Sequence, residues 1–310
     1  MSDEAGREAI RAALDAGIDF LDTADVYGDG RSERHIGRVL DERDAHSDVT
    51  VATKAGRRLD PHTTDSYTAE QLERFVDRSR KNLGEGTLDL LQLYCPPTDV
   101  YYRPEVFDAL ADLRARGKVA DYGVSVERVE EALKAIEYPG VETVQLIFNP
   151  FRQRPADLFF EEAARRDVGV IVRVPLASGL LTGTIGRDAT FPETDHRNYN
   201  RDGDAFDEGE TFAGVPLDAG LDGFHCIDAG VDAVEAIEAH VPEGMSLAQF
   251  TLRWILDFDA VSTVIPGSTT LAHIESNAAA ADLNPLGHRL HGVVRDVYEE
   301  HVADHVHRRW

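Results

Sequence analysis

The sequence predicts an α/β fold of the (β/α)8 TIM barrel class, with seven strands visible in the chain and the first strand missing. Three observations carry that prediction. Short apolar, β-branched runs alternate with segments of helical period along most of the 310 residues. Such runs read as strands buried on both faces, each followed by a helix, which is the pattern of a parallel sheet. Polar, chemically capable residues then recur at the C-terminal ends of several runs, where a barrel collects its active site. A doubly wound sheet would open with a glycine-rich phosphate turn, but here the first run ends in Asp22, Thr23 and Ala24 with no G-x-G-x-x-G after it.

The elements follow in order. Glu4–Ala16 has helical period and no strand before it, so the expectation is a missing first strand rather than an unusual closure. Strand runs are expected at Ile18–Ala24, Val49–Ala55, Leu88–Cys95, Val119–Ser125, Val141–Asn149, Gly169–Pro175 and Val261–Gly267. Helices are expected at Arg31–Arg43, Thr68–Leu83, Pro104–Gly117 and Val126–Ile136. Thr68 stands as an N-cap ahead of Glu70 and Gln71, while Gly84 and Gly117 stand where helices should stop. The stretch from about 177 to 230 is rich in Gly and Asp with weak periodicity, and reads as a lid or substrate loop. Helices at Leu271–Ala281 and roughly His288–His307 close what is expected to be a single domain over 1–310.

Charge narrows the partners. The chain holds 57 acidic and 32 basic residues, a net charge of −25, and its pI is near 4.7. A phosphate backbone or an anionic membrane surface would be repelled, so neither nucleic acid nor membrane is an expected partner. Only Lys54, Lys81, Lys118 and Lys134 are lysines. Acid excess with lysine scarcity reads as a halophilic surface, hydrated and screened in strong salt. Two distant cysteines, Cys95 and Cys226, suggest a reducing compartment. The start MSDEAGREAI is not a signal peptide, and no apolar run reaches about 18 residues, so a cytoplasmic protein is expected.

Chemistry concentrates at two adjacent strand ends. Asp22 and Tyr27 flank the end of the first run, and Lys54 ends the second in Val51-Ala52-Thr53-Lys54. An isolated phenol, with a pKa of about 10, is a poor proton donor at neutral pH. A nearby buried ammonium favours the phenolate, and a carboxylate holds the lysine, so the trio makes a tuned general acid for a carbonyl oxygen.

The segments GIDFLDTADVYGDGRSE, VATKAG, LDLLQLYCPP, YGVSVE, VQLIFNPF, VPLASGLLTG and VSTVIPGSTTLAHIESN resemble the aldo-keto reductase family from end to end, and in its order. The resemblance implies a barrel that binds an extended nicotinamide without a Rossmann motif, with NADP(H) favoured over NAD(H). It implies reduction of a small-molecule aldehyde or ketone to an alcohol, with Tyr27 as proton donor tuned by Lys54 and Asp22. Where the family has a catalytic histidine this chain has Tyr94. The alternative reading is a catalytically impaired, cofactor-binding regulatory protein on the same barrel.

Cofactor positions follow from the same resemblance. Ser125 and Gln145 match the residues that bond the nicotinamide carboxamide, while Val126 replaces a frequent asparagine. Arg173 stands where an aromatic ring often stacks on the nicotinamide, and a planar guanidinium stacks similarly. Leu176, Ser178, Gly179 and Leu181 match the loop tracking the pyrophosphate. Gly267, Ser268 and Asn277 match the adenosine end, and His273 takes the place of the arginine that often holds a 2′-phosphate.

Two metal-like patterns are read as bland. His301, Asp304 and His305 lack a third ligand and read as a solvated helix face. Asp202, Asp204 and Asp207 lack the bidentate glutamate of a calcium loop. No metal is expected, and the oligomeric state is left open.

Overall fold

The computed structural model of the chain describes residues 2–187, 189, 211–212, 215–216, 224–268 and 270–308. They fall into two compact units. The first comprises Met1–Leu146, Phe159–Ile171 and Gly267–Ala278, and the second Ile147–Leu158, Val172–Pro266 and Ala279–Trp310.

Parallel strands run side by side in chain order: β1 (Phe20–Asp22), β2 (Thr50–Ala55), β3 (Leu88–Tyr94), β4 (Val119–Ser125), β5 (Val141–Ile147) and β6 (Gly169–Arg173), all in the first unit except Ile147 at the end of β5 and Val172 and Arg173 at the end of β6. Helices α1 (Asp3–Asp15), α2 (Arg31–Arg43), α3 (Ala69–Leu83), α4 (Pro104–Ala115), α5 (Val129–Ala135), α6 (Phe159–Arg165) and α9 (Leu271–Ala278) belong to the same unit. The order α1, α2, α3, α4 is also an order of packing, each helix lying against the next, as successive crossovers on one side of a sheet must.

Local chemistry explains the boundaries. The Ser2 side chain accepts from the Ala5 N–H, and Asp3 and Glu4 place negative charge on the first turn of α1. Thr68 accepts from Gln71 N–H and Gly84 closes α3 at φ 79°, as the cap signals predict. The helix expected at Val126–Ile136 begins later, at Val129, because the Glu131 carboxylate accepts the backbone N–H groups of Glu127 and Arg128 and caps the turn there. Gly37 lets α2 and α3 approach closely: a Cβ at that position would stand 2.2 Å from the Leu83 carbonyl oxygen.

In the second unit, β7 (Thr211–Phe212) and β8 (Val215–Pro216) form a short antiparallel pair. Helices α7 (Phe224–Glu238), α8 (Leu247–Leu256), α10 (Gly287–His301) and α11 (Ala303–Val306) follow with β9 (Val261–Val264). Ile265 N–H, just past β9, donates to the Val172 carbonyl at the end of β6 (2.9 Å), which continues the parallel order. An aromatic core holds this unit: Phe148 stacks on Trp254 at 5.1 Å, and Phe258 meets both edge-on at 4.9 Å. The terminal helix expected at His288–His307 is broken at Val302, whose φ of −125° leaves the helical region. Of the stretch from 177 to 230, Ala177–Thr182 forms a tight helical turn. Its residues 188, 190–210, 213–214 and 217–223, with Asp202, Asp204 and Asp207, lie outside the described residues.

Candidate active site

The ends of β1 to β5 bring the sequence-predicted polar residues of the first unit together through strand register. Lys54 on β2 pairs with Gln92 on β3, Tyr94 with Ser125 on β4, and Ser125 with Gln145 on β5. Five neighbouring strands therefore present polar side chains at the level where each strand ends.

Lys54 is the centre. Its strand is buried from Val51 to Ala55, and the side chain itself is 1% exposed. The ammonium donates to Asp22 Oδ1 at 2.5 Å and to the Thr23 carbonyl at 2.9 Å. A buried ammonium is costly unless paired and hydrogen-bonded, and both conditions are met here. The same Nζ lies 5.6 Å from the Tyr27 ring centroid and 5.5 Å from that of Tyr94. The two phenolic oxygens are 3.0 Å apart, and the rings cross edge to face at 89°. Tyr27 is 39% exposed, so this cluster opens outward through the tyrosine.

Tyr27 owes its place to a turn. Gly28 and Gly30 take φ of 59° and 77° around Asp29, also left-handed at 54°, and reverse the chain into α2. Beneath the turn, Glu33 is fully buried and accepts from Thr53 Oγ1 (2.7 Å) and Asn82 Nδ2 (2.8 Å), joining α2 to β2 and α3. Asp25 is buried in the same layer. Burial first, and then the Glu33 charge, push its carboxyl up to about 7, while Arg58 and Arg78 pull against that rise.

Ser125 and Gln145 are both buried, and Ser125 Oγ donates to Gln145 Oε1 at 3.4 Å. Gln145 Nε2 in turn donates to Asp22 Oδ2 (2.8 Å) and to Gln92 Oε1 (3.0 Å). A polar chain thus runs from Ser125 through Gln145 and Asp22 to Lys54. Sequence reasoning missed Gln92 and the Gln145–Asp22 bond. For Gln92 the available signal was its place two residues before Tyr94, hence on the same face of β3.

The remaining positions fall into two sets. In the first unit, Ser268 Oγ accepts from Thr270 N–H (3.2 Å) and shapes the entry to α9, on which His273 and Asn277 sit one turn apart; Gly267 is exposed just before. In the second unit, Arg173 ends β6. The turn after Leu176 holds Ala177, Ser178 and Gly179 at φ of 46°, 53° and 99°, with Leu181 back at −77°. Within this turn the Ala177 N–H donates to the Val174 carbonyl (3.1 Å), and the Gly179 and Leu181 N–H groups donate to the Leu176 carbonyl (2.9 and 3.1 Å).

In the first unit, Ser125 and Gln145 fit the carboxamide of a nicotinamide cofactor. A carboxamide offers one acceptor and two donors: the Ser125 hydroxyl can turn from Gln145 to donate to its oxygen, and Gln145 Oε1, whose amide hydrogens are held by Asp22 and Gln92, can accept from its N–H. Among the described residues no group of three His, Cys, Asp or Glu side chains could hold a metal ion, and no helix is long and apolar enough to cross a membrane.

Comparison with known proteins places the chain in a family. The model of the Aldo/keto reductase family matches residues 1–297. The aldo-keto reductase yakc [NADP(+)] of Schizosaccharomyces pombe is 25% identical over 285 residues, covering 90% of this chain and 78% of its own. The solved glycerol dehydrogenase AKR11B4 of Gluconobacter oxydans is 26% identical with a TM-score of 0.75, covering 100% of this chain and 90% of its own. An aldo-keto reductase of Klebsiella pneumoniae, solved in complex with NADPH, is 21% identical with a TM-score of 0.67, covering 96% and 86%. The likeness carries the fold class: α/β, a TIM-barrel-like fold with seven parallel strands among the described residues.

Proposed function

The chain belongs to the aldo/keto reductase family, and from that premise we propose that it is an NAD(P)H-dependent oxidoreductase reducing an aldehyde or ketone to an alcohol. The observation that carries this reading is the Lys54 ammonium, anchored by Asp22 and facing two tyrosines whose hydroxyls are 3.0 Å apart.

When bound, a nicotinamide cofactor would supply the hydride for the carbonyl carbon. This chain's residues handle the oxygen. The Tyr27 hydroxyl donates its proton to the carbonyl oxygen as the C=O π pair collapses onto it, and the Lys54 ammonium stabilises the phenolate left behind. Asp22 holds Lys54 in place, and Gln145 holds Asp22. Tyr94 donates a second hydrogen bond to the same oxygen and returns a proton to Tyr27 from solvent. Ser125 and Gln145 are assigned to the carboxamide and Arg173 to the nicotinamide face. Leu176, Ser178, Gly179 and Leu181 are assigned to the pyrophosphate, and Gly267, Ser268, His273 and Asn277 to the adenosine end. NADP(H) in preference to NAD(H) is supported by the S. pombe relative and the K. pneumoniae complex.

Tyr94 is the one departure that favours a second reading, a regulatory protein that binds cofactor without turnover. The hydroxyl contact with Tyr27 favours the enzyme, since it supplies the second donor that an imidazole would otherwise give. The acid excess supports work in strong salt, and two cysteines in 310 residues support a reducing, cytoplasmic compartment.

The test is NADPH oxidation with an aldehyde panel in molar salt. Tyr27→Phe should lower the rate by about 100- to 10,000-fold while cofactor still quenches tryptophan fluorescence. Tight NADPH binding with no aldehyde reduced, in the wild type or in Tyr94→His, would establish the regulatory reading instead.

A further inference from the structure

Strand register in the first unit sets two polar rows side by side. One row runs through Lys54 on β2, Gln92 on β3, Gly123 on β4 and Thr143 on β5. The other, two residues further along the strands, runs through Tyr94, Ser125 and Gln145. Gln92 is fully buried, where an amide is costly unless its donor and its acceptor are both met. Both are met here. Its Oε1 accepts from Gln145 Nε2 at 3.0 Å, and its Nε2 donates to Thr143 Oγ1 at 3.3 Å. The second bond crosses β4 at the level of Gly123. A Cβ on Gly123 would stand 2.2 Å from that same threonine oxygen, so glycine leaves the hydroxyl where Gln92 can reach it.

One group fixes the sense of every amide in this network. Asp22, ion-paired with Lys54, only accepts, so Gln145 turns its nitrogen to Asp22 Oδ2 at 2.8 Å. That nitrogen carries a second hydrogen, which in so buried a place needs a second acceptor, and Gln92 Oε1 supplies it. Thr143 in turn holds the Gln92 nitrogen away from that hydrogen. With both hydrogens engaged, Gln145 presents Oε1 to the other side, toward Ser125 Oγ at 3.4 Å, the longest bond in the network.

We propose that Gln92, braced by Thr143 across Gly123, is a positioning residue for the cofactor. It fixes the Gln145 amide so that Oε1 is presented to the carboxamide N–H of a nicotinamide while Nε2 holds Asp22 against Lys54. The inference rests on the assignment of Gln145 to the carboxamide in the reductase reading, and adds the residue that sets the direction of that contact. Without Gln92, one hydrogen of the Gln145 amide is left unmet and the amide turns in search of a partner. The carboxamide contact then weakens because its geometry is no longer organised in advance.

The experiment measures binding rather than turnover. Oxidised NADP and its 3-acetylpyridine analogue, in which a methyl group replaces the carboxamide nitrogen, are titrated by quenching of tryptophan fluorescence. The readout is the ratio of Kd values, analogue over NADP. The wild type should favour NADP by about tenfold, the worth of a buried acceptor met rather than left unpaired. Gln92→Leu should lower that ratio by about threefold or more, with the Kd of the analogue within about twofold of wild type. Gln92→Glu, which returns an acceptor to Gln145, should recover most of the loss, and Thr143→Val should shift the ratio the same way by less. A merely structural Gln92 would lower the melting temperature and weaken both nucleotides alike. An unchanged ratio in Gln92→Leu, or equal loss of both nucleotides, overturns the proposal; if that variant fails to fold, an unchanged ratio in Thr143→Val does so. A wild type that binds both nucleotides equally removes the Gln145 contact and the proposal with it. One that binds neither refutes the cofactor reading and the proposal together. One that discriminates as expected but reduces no aldehyde refutes the reductase reading alone and upholds Gln92.

Discussion

Two buried pairs of carboxylate and cation, one in each unit, put the same charges to opposite uses. In the second unit Asp257 accepts from Arg253 Nε, from the Leu286 N–H and from His291 Nε2, each at 2.9 Å. Arg253 Nη1 donates onward to the Ala281 carbonyl at 3.2 Å. The charges are consumed by backbone and by neighbouring elements, and the pair fastens α8 to the chain leading into α10. In the first unit Asp22 is likewise satisfied, by Lys54 and Gln145. Lys54, however, presents its charge to the two tyrosine rings as well as to Asp22 and Thr23. A fastener saturates its cation with fixed acceptors, whereas a catalytic cation must also act on a group whose charge changes.

The sharpest way to break this comparison is at the lysine. Lys54→Met is expected to slow single-turnover reduction by about a thousandfold, with the far-ultraviolet circular dichroism unchanged. A variant with near wild-type turnover would reduce Lys54 to a second fastener. Asp257→Ala should show the opposite profile. It removes the counter-ion of the largely buried Arg253 and the acceptor of the Leu286 N–H and His291, so a urea titration should register a loss of about 3–5 kcal/mol, with turnover per folded molecule retained. Falling turnover at intact stability would join the two pairs functionally and dissolve the distinction.

The smallest expected effect concerns Asp25, a buried carboxyl beside the catalytic turn. Its pKa in the folded chain is raised to about 7 from an ordinary 3.8. A raised acid contributes its stability below the unfolded value and loses it as pH climbs through the folded one. Wild-type stability should therefore decline between about pH 4 and 7, and Asp25→Asn should flatten that slope. At pH 8 the variant should be about 2 kcal/mol more stable, less than the full linkage value because a buried amide still carries a desolvation cost. Parallel melting curves for the two proteins across that range would show that Asp25 is ionised in the folded state throughout.

Much of the architecture can be read from local pattern. Strand runs announce themselves by β-branched content, and the caps at Thr68, Gly84 and Gly117 mark helix ends because an orphan N–H or a left-handed residue is a local demand. Boundaries are less legible: β1 shrinks to Phe20–Asp22, and α9 stops at Ala278 rather than Ala281. Helices α6 and α8 went unread, although Ser246 and Gln249 form a capping box whose spacing was there to see. At the site, alternation along a strand suffices to aim Lys54 and Tyr94 from the ends of β2 and β3. No periodicity announces that Gln145 reaches Asp22 across 123 residues, or that Gln92 reaches Thr143 across β4.

The sequence by itself determined the order of the seven sheet strands and of helices α1 to α5, the acidic composition, and the placement of Asp22, Tyr27, Lys54 and Tyr94 at or just beyond strand ends. Those properties depend on neighbours within a few positions and on composition, which a linear reading contains. The tertiary structure alone decided which polar groups share protons and charge: Tyr94 against Tyr27, Gln145 on Asp22, and Gln92 on Gln145. Hydrogen bonds and coulombic contacts act over a few ångströms, and only strand register brings residues from distant stretches of chain within that reach.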